Sequence, residues 1–239
     1  MKRKAALDAV SLIKKKRNGD SKGRTCYNGA KQRRYVKAGE ITYSPTLSLV
    51  SILIPLAIDA YEGRDVAIVA VPGAYLHADM PQTEGETVLL KLKGDFVNIM
   101  CSVNEQFTHH VVYEGKTKVL SIKVLRAIYG CLDSAMLWYN LYVTTLKGMG
   151  FELNPYDLCV ANKITNGKQC TIVWYVDGNK ISHDDPTVVD SIIQDLTKLF
   201  GELSITRGKE HTFLGMNIKF RDDKKIEIDM IEQIKEDIE

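Results

Sequence analysis

Three strand-like segments follow one another between Cys159 and His183, "CVANKI", "CTIVWYV" and "NKISH", each separated from the next by residues that reverse the chain. The first break is "TNGK" and the second is Asp177-Gly178. Asn-Gly and Asp-Gly pairs between β-branched runs are among the strongest short hairpin signals. This stretch therefore commits the chain to an antiparallel meander with Asp177 at a tip. What remains open is whether Asp177 is only a turn residue or also a chemical one.

The segments on either side supply what such a sheet needs for burial. "DVAIVAVPGAYLHADMP" holds a β-branched run, Val66 to Val71, which reads as a buried strand stopped by Pro72-Gly73 before a short turn or helix carrying Tyr75. Ser44-Pro45 predicts the start of a helix running to about Tyr61. Ala127 to Met149 has helical spacing, with Leu137, Leu141 and Thr144-Thr145 along one stripe. Pro186 opens a further helix through Phe200, with Val189, Ile192, Ile193, Leu196 and Phe200 on its apolar face. "TVLLKLK" reads as a strand leading to a short helix, and a hairpin turns at Glu114-Gly115. "LSITRG", "HTFLGMNIKF" and "KIEIDM" form a strand-rich end, and Ile231, Ile234 and Ile238 sit at helical spacing.

Composition narrows the class. The 239 residues lack low-complexity tracts, and the longest apolar stretch, Leu47 to Tyr61, contains Pro55 and Asp59 and is too short for a comfortable membrane span. The basic start lacks a small-residue cleavage site, so an intracellular protein, cytoplasmic or nuclear, is expected rather than a secreted one. Five cysteines without a CxxC pair fit a reducing compartment. His109 and His110 are adjacent but lack metal-ligand spacing and read as solvated loop residues.

Charge is divided unevenly. Residues 1–37 carry 13 Lys and Arg against Asp8 and Asp20, a net +11, while the remainder carries 19 basic and 28 acidic residues, a net −9. Ala5 to Lys16 reads as a short amphipathic helix. The two Asn-Gly pairs in "RNGDSKGRTCYNGAKQRRYV" predict a basic hairpin presenting Lys22, Arg24, Lys31, Arg33 and Arg34 together. That end is a contact for a polyanion or a solvated tail.

Taken in order, the segments resemble the reverse transcriptase domain of Ty1/copia-type retrotransposon polyproteins, especially versions found in microalgae. "KGRTCYNGAKQR" is similar to the basic fingers segment, "SPTLS" to the link after it, and "VPGAYLHADMP" to the first palm motif. "KVLRAIYGCLDSAMLWYN" resembles "LYGLKQAPRAWY", "WYVDG" resembles the "YVDD" hairpin, and "FGELSITRGKEHTFLGMNIKF" resembles the "LGELxxFLGIEI" end.

The resemblance implies an α+β fold of fingers and palm, with a ferredoxin-like palm whose antiparallel sheet packs on helices and a thumb truncated or absent. It divides the chain into fingers (1–62), palm (63–220) and the start of a thumb or connection (221–239). It also implies an RNA-directed DNA polymerase fragment, without protease, integrase or RNase H segments, using an RNA or DNA primer-template, dNTP and Mg²⁺ or Mn²⁺. In that chemistry two metals roughly 4 Å apart activate the primer hydroxyl and stabilise the leaving pyrophosphate, and hard cations need several carboxylates.

The departures fall at that centre. By the resemblance, Ala70 stands where the first aspartate belongs and Gly178 where the last belongs, leaving Asp177. Asp65 is five residues from Ala70, about 16 Å along a strand and of opposite facing parity. Asp79 lies beyond the Pro-Gly corner. The expectation is therefore a reverse transcriptase-like protein with little or no polymerase activity, or else a non-catalytic nucleic-acid-binding remnant or a product without a selected role. Among retained positions, Tyr75 matches the aromatic beneath the incoming sugar or else packs at the corner, and Lys22 and Arg24 match residues near the triphosphate or else line a solvated hairpin. Asp133 and Ser134 replace the Gln-Ala of the helix motif. Trp138, Tyr139, Phe213 and Leu214 read as core.

Overall fold

The computed structural model describes residues 6–15, 19, 21–33, 42–82 and 87–238. In chain order, β1 (Leu7–Lys15), β2 (Ser21–Tyr27) and α1 (Gly29–Gln32) precede α2 (Leu49–Glu62), β3 (Asp65–Ala70) and α3 (Ala74–His77). Next come β4 (Leu89–Lys93), α4 (Asp95–Val103), β5 (Val112–Glu114), β6 (Thr117–Lys123) and α5 (Ser134–Gly148). The meander β7 (Glu152–Asn154), β8 (Asp157–Thr165), β9 (Lys168–Tyr175) and β10 (Gly178–His183) leads to α6 (Pro186–Phe200). The chain continues through β11 (Ser204–Arg207), β12 (Glu210–Phe213), β13 (Met216–Phe220), β14 (Ile226–Asp229) and α7 (Ile231–Ile238). The fold class is α+β, as expected.

Two compact units form, each from two stretches of chain: Met1–Tyr43 with Tyr75–Trp138, and Ser44–Ala74 with Tyr139–Glu239. This partition interleaves along the sequence, whereas the expected one runs in linear order.

The first unit is built on a sheet of order β2-β1-β4-β6-β5. Here the expected helix over Ala5–Lys16 is corrected: Leu7–Lys15 of it form strand β1, paired antiparallel with β2 and parallel with β4, and Ala5 and Lys16 lie outside the described residues. Its apolar stripe was imperfect, and hydrogen bonds to two neighbouring strands outweigh a weak helical preference. The hairpin is consequently β1 with β2, with Gly19 at φ +88° between them. The second Asn-Gly pair leads into α1 instead of turning a hairpin. Lys22 and Arg24 thus lie on β2, Lys31 lies in α1 with exposed Arg33 just after it, and Arg34 lies outside the described residues.

The second unit holds a six-stranded sheet, β11-β3-β10-β9-β8-β7, with every neighbouring pair antiparallel. Asn166 (φ 52°) and Gly167 (φ 75°) form the expected two-residue turn between β8 and β9, where positive φ at both positions suits the right-handed strand twist. Helix α6 has the predicted bounds. Asp185 caps it by accepting from the Thr187 amide at 2.9 Å, and Val188, Val189, Ile192, Ile193, Leu196 and Phe200 are buried.

Helix α2 starts four residues later than Ser44-Pro45 predicts. Ser48, whose amide donates to Asp157 Oδ2 at 2.9 Å, supplies the cap by accepting from the Ser51 amide. The inner face of α2 puts Ile52 and Leu56 into a cluster with Val160, Val173, Phe213, Met216 and Ile218. Helix α5 begins at Ser134, because Gly130 at φ +83° and a turn ending on Ser134 interrupt the periodic stretch. Its buried positions are Ser134, Trp138, Tyr142, Val143 and Leu146, one register away from the predicted Leu137, Leu141 and Thr144 stripe. "HTFLGMNIKF" is a hairpin, β12 to β13, whose turn leaves Leu214 38% exposed at φ 52°; Leu214 is not core.

All five cysteines are unpaired. His109 and His110 end an exposed 3₁₀ turn. No helix among the described residues is long and apolar enough to cross a membrane.

A buried ion pair fastens α2 to the sheet. Lys180 on β10 and Asp59 on α2 are both essentially inaccessible and bond directly, while Ser182 Oγ lies 3.1 Å from Lys180 Nζ and Arg64 Nη1 lies 4.0 Å from Asp59 Oδ1. Removing one member strands the other charge, at a cost of about 3–5 kcal/mol, whereas an apolar pair of similar volume is often neutral or stabilising. Asp59→Leu is therefore expected to lower the denaturation midpoint sharply, and adding Lys180→Met to restore it. A single mutant within about 1 kcal/mol of the parent would contradict the buried pair.

Candidate functional site

The hairpin β9–β10 was expected to turn on Asp177-Gly178. Instead Tyr175 pairs with Gly178, so the two loop residues are Val176 and Asp177 and the glycine is already in the strand. Positive φ falls on Val176, at 54°, and not on Asp177 or Gly178. A β-branched residue in that region is strained, by roughly 1–3 kcal/mol. The strain persists because the register is held elsewhere. Asn179, fully buried, donates through Nδ2 to the Val69 carbonyl at 3.2 Å and to the Asp177 carbonyl at 3.1 Å. Val71 N donates to the Asp177 carbonyl at 2.9 Å.

That register places the three singled-out positions together at one end of the sheet. Ala70, the last residue of β3, is the direct cross-strand partner of Gly178, and Ser204 faces Ala70 from the other side. Side chains at directly opposed positions leave the same face, with Cβ atoms about 4.5–5.5 Å apart. Carboxylates at 70 and 178 would therefore stand side by side, with Asp177 next to them at the half-buried tip. Here one position is a methyl group and the other has no side chain. A Cβ on Gly178 would meet only Phe213 Cε2 at 3.4 Å and the Tyr175 carbonyl oxygen at 3.7 Å, both ordinary contacts.

Neighbouring acids are engaged elsewhere. Asp65 opposes His183 at the far end of β3 and pairs with Arg207 at 2.5 Å, whose Nη1 lies 3.1 Å from Asp190. Burial raises the Asp65 carboxyl above its ordinary value despite that guanidinium. Asp79, in the first unit, pairs with Arg126 at 2.8 Å. Among the described residues no group of three or more His, Cys, Asp or Glu stands close enough to hold a metal ion. The donor set at this corner, a single carboxylate, does not fit a pair of divalent cations.

The remaining candidates belong to the first unit. Tyr75, half-buried on α3, has its ring 4.8 Å from that of Tyr129 at an interplanar angle of 52°. Lys22 and Arg24 occupy β2. Asp133 Oδ2 accepts from buried Gln32 Nε2 at 3.1 Å, and Gln32 Oε1 accepts from the Leu132 amide at 2.9 Å. Sequence reasoning missed Asn179, Lys180 and Asp59, although an aspartate inside "LAIDAY" was a visible signal of a buried polar partner.

Comparison with known proteins decides the family. Residues 3–238 match the family described as reverse transcriptase (RNA-dependent DNA polymerase). The chain belongs to that family. Within it the type is Ty1/copia. The chain is 31% identical over 91 residues to a putative transposon Ty5-1 protein of Saccharomyces cerevisiae, a match covering 38% of this chain and 29% of that protein. It is 25% identical over 223 residues to the retrovirus-related Pol polyprotein from transposon TNT 1-94 of Nicotiana tabacum, covering 91% of this chain and 15% of the polyprotein. This reverse transcriptase domain thus spans under a third of either relative.

Two solved structures are also similar. A foamy viral protease-reverse transcriptase in complex with double-stranded DNA matches at TM-score 0.44 and 14% identity, over 91% of this chain and 30% of that one. The Candida albicans telomerase in complex with a fragment of telomeric RNA matches at TM-score 0.43 and 9% identity, over 94% and 47%.

Replacing Val176 by glycine removes the steric conflict at positive φ at the cost of extra freedom in the unfolded chain. The net effect is expected to raise Tm by about 2–4 °C, which is what about 1 kcal/mol represents in a chain of this size. Calorimetry of Val176→Gly checks it, and an unchanged or lower Tm contradicts strain at the tip.

Proposed function

We propose that this reverse transcriptase domain, part of a copia-type retrotransposon polyprotein, has lost most or all nucleotidyl transfer while keeping the surfaces for primer-template and dNTP. The reading is carried by the direct pairing of Ala70 with Gly178. Two-metal transfer needs charge where charge develops, and each ~1.4 kcal/mol of lost stabilisation is a tenfold loss in rate. Metal-assisted stabilisation is worth several kcal/mol, so two absent carboxylates imply a loss of about a thousandfold or more. Asp177 alone holds a cation weakly. In the first unit, Lys22 and Arg24 provide cationic recognition of a triphosphate, with Tyr75 against the sugar, and Lys31, Arg33 and Arg34 add backbone contacts to a nucleic acid.

A second reading, a non-catalytic nucleic-acid-binding module, is favoured by the +11 charge of residues 1–37, six of whose basic residues lie within the two strands and the short helix that follows them, or just after it.

Primer extension with Mg²⁺ or Mn²⁺ tests the first reading. The parent is expected to be inactive and Ala70→Asp with Gly178→Asp to gain extension, which Asp177→Asn removes again. Extension by the parent at a rate typical of polymerases sinks the loss-of-function reading. For the second, primer-template affinity is expected to fall steeply with salt, log K against log[salt] having a slope of about −0.7 to −0.9 per phosphate contacted. A flat salt response removes the binding module.

A further inference from the structure

Tyr129 stands where three segments of the first unit meet. Its main-chain carbonyl accepts from the Tyr27 amide at 2.7 Å, at the end of the strand that carries Lys22 and Arg24. Its ring packs against that of Tyr75 at 4.8 Å, a separation at which tilted aromatic pairs attract. The backbone beside it is pinned to the segment after Tyr75: Ala127 N donates to the Ala78 carbonyl at 2.9 Å and Met80 N to the Leu125 carbonyl at 3.0 Å. Arg126 adds an ion pair to Asp79 and a hydrogen bond to the His77 carbonyl at 3.1 Å.

On its other side, Gly130 takes φ +83° directly against the Tyr27 carbonyl, and Gly29 packs in the same manner on the Gly130 carbonyl. A Cβ at either glycine would collide with main chain that cannot yield. The position of Tyr129 is therefore over-determined. Tyr75 sits on a helix of only four residues, with its ring against that of Tyr129.

We propose that Tyr129 is a positioning residue for nucleotide recognition. Its ring holds Tyr75 at the angle at which Tyr75 distinguishes 2′-deoxyribose from ribose in a bound nucleoside triphosphate, and its carbonyl ties that wall to the strand bearing Lys22 and Arg24. The inference rests on the reading of Tyr75 under Proposed function and adds what sets its orientation. The ring does the work, so the Tyr129 hydroxyl is dispensable.

The test uses the full chain with an adenine-templated primer and compares dissociation constants of dUTP and UTP, which differ only in the 2′-hydroxyl. The parent is expected to prefer dUTP. Tyr129→Ala is expected to lower that preference about three- to tenfold, the worth of an aromatic pair. Tyr75→Ala should lower it at least as much, and the two together no further than Tyr75→Ala alone, since they act as one unit. Tyr129→Phe should keep the parent ratio, which a loss of fold stability alone does not predict. Should Tyr129→Ala fail to fold, Tyr129→Leu keeps the bulk without the ring and carries the same comparison. If Tyr129→Ala keeps the ratio while Tyr75→Ala loses it, the inference falls and the reading of Tyr75 stands. If Tyr75→Ala has no effect, or the parent binds neither nucleotide or shows no preference, both fall.

Discussion

The register of β9, β10 and β3 is the constraint on which the site depends. Side chains alternate between faces along a strand, so slipping β10 by one residue would exchange its two faces. Asn179, Lys180, Ile181, Ser182 and His183 are all buried, and each has a specific neighbour: Asn179 bonds the Val69 carbonyl and Lys180 bonds Asp59. An Asp-Gly turn with its glycine in the loop would pair Val176 with Asn179, a shift of two residues against β9 that keeps each side chain on its face but changes every cross-strand neighbour. The chain instead accepts positive φ at Val176, because the conformational cost at one residue is smaller than unpairing a buried charge and a buried amide.

This register also leaves the corner where Ala70 faces Gly178 with a single carboxylate, Asp177. Ala70 and Gly178 are at the partly exposed end of the sheet, where Phe213 of the cluster of Ile52, Leu56, Val160 and Val173 comes within reach of Gly178. Three carboxylates gathered at one corner repel one another unless cations are bound. A methyl group at position 70 and a bare glycine at 178 bring no such repulsion to this corner.

Helix α6 was legible from sequence because its signals agree: Asp185 and Pro186 at the start, a continuous apolar face, and glycine at the end. The β8–β9 turn was legible because Asn166 and Gly167 both tolerate the backbone a tight hairpin demands. Where local signals were mixed, tertiary partners decided. Residues 7–15 carry an apolar pattern that serves a helix poorly, and two adjacent strands took them up. The stretch before α5 is periodic, yet Gly130 must adopt positive φ to let Tyr27 approach, so the helix waits until Ser134. Ser44 and Ser48 both precede helical residues, and the Asp157 carboxylate, more than a hundred positions away, bonds the Ser48 amide and so favours the second.

By itself the sequence determined the family, most of the order of elements and the identity of the residues at positions 70, 177 and 178, because motif order and residue type are local properties written along the chain. Only the tertiary structure decided that Ala70 faces Gly178, that Val176 and not Gly178 takes the left-handed turn, that Lys180 meets Asp59, and that the rings of Tyr129 and Tyr75 pack together. Each of those pairs residues that are distant in sequence or trades local strain for distant contacts. No inspection of a short window reveals which contact prevails, since that depends on the whole sheet being satisfied at once.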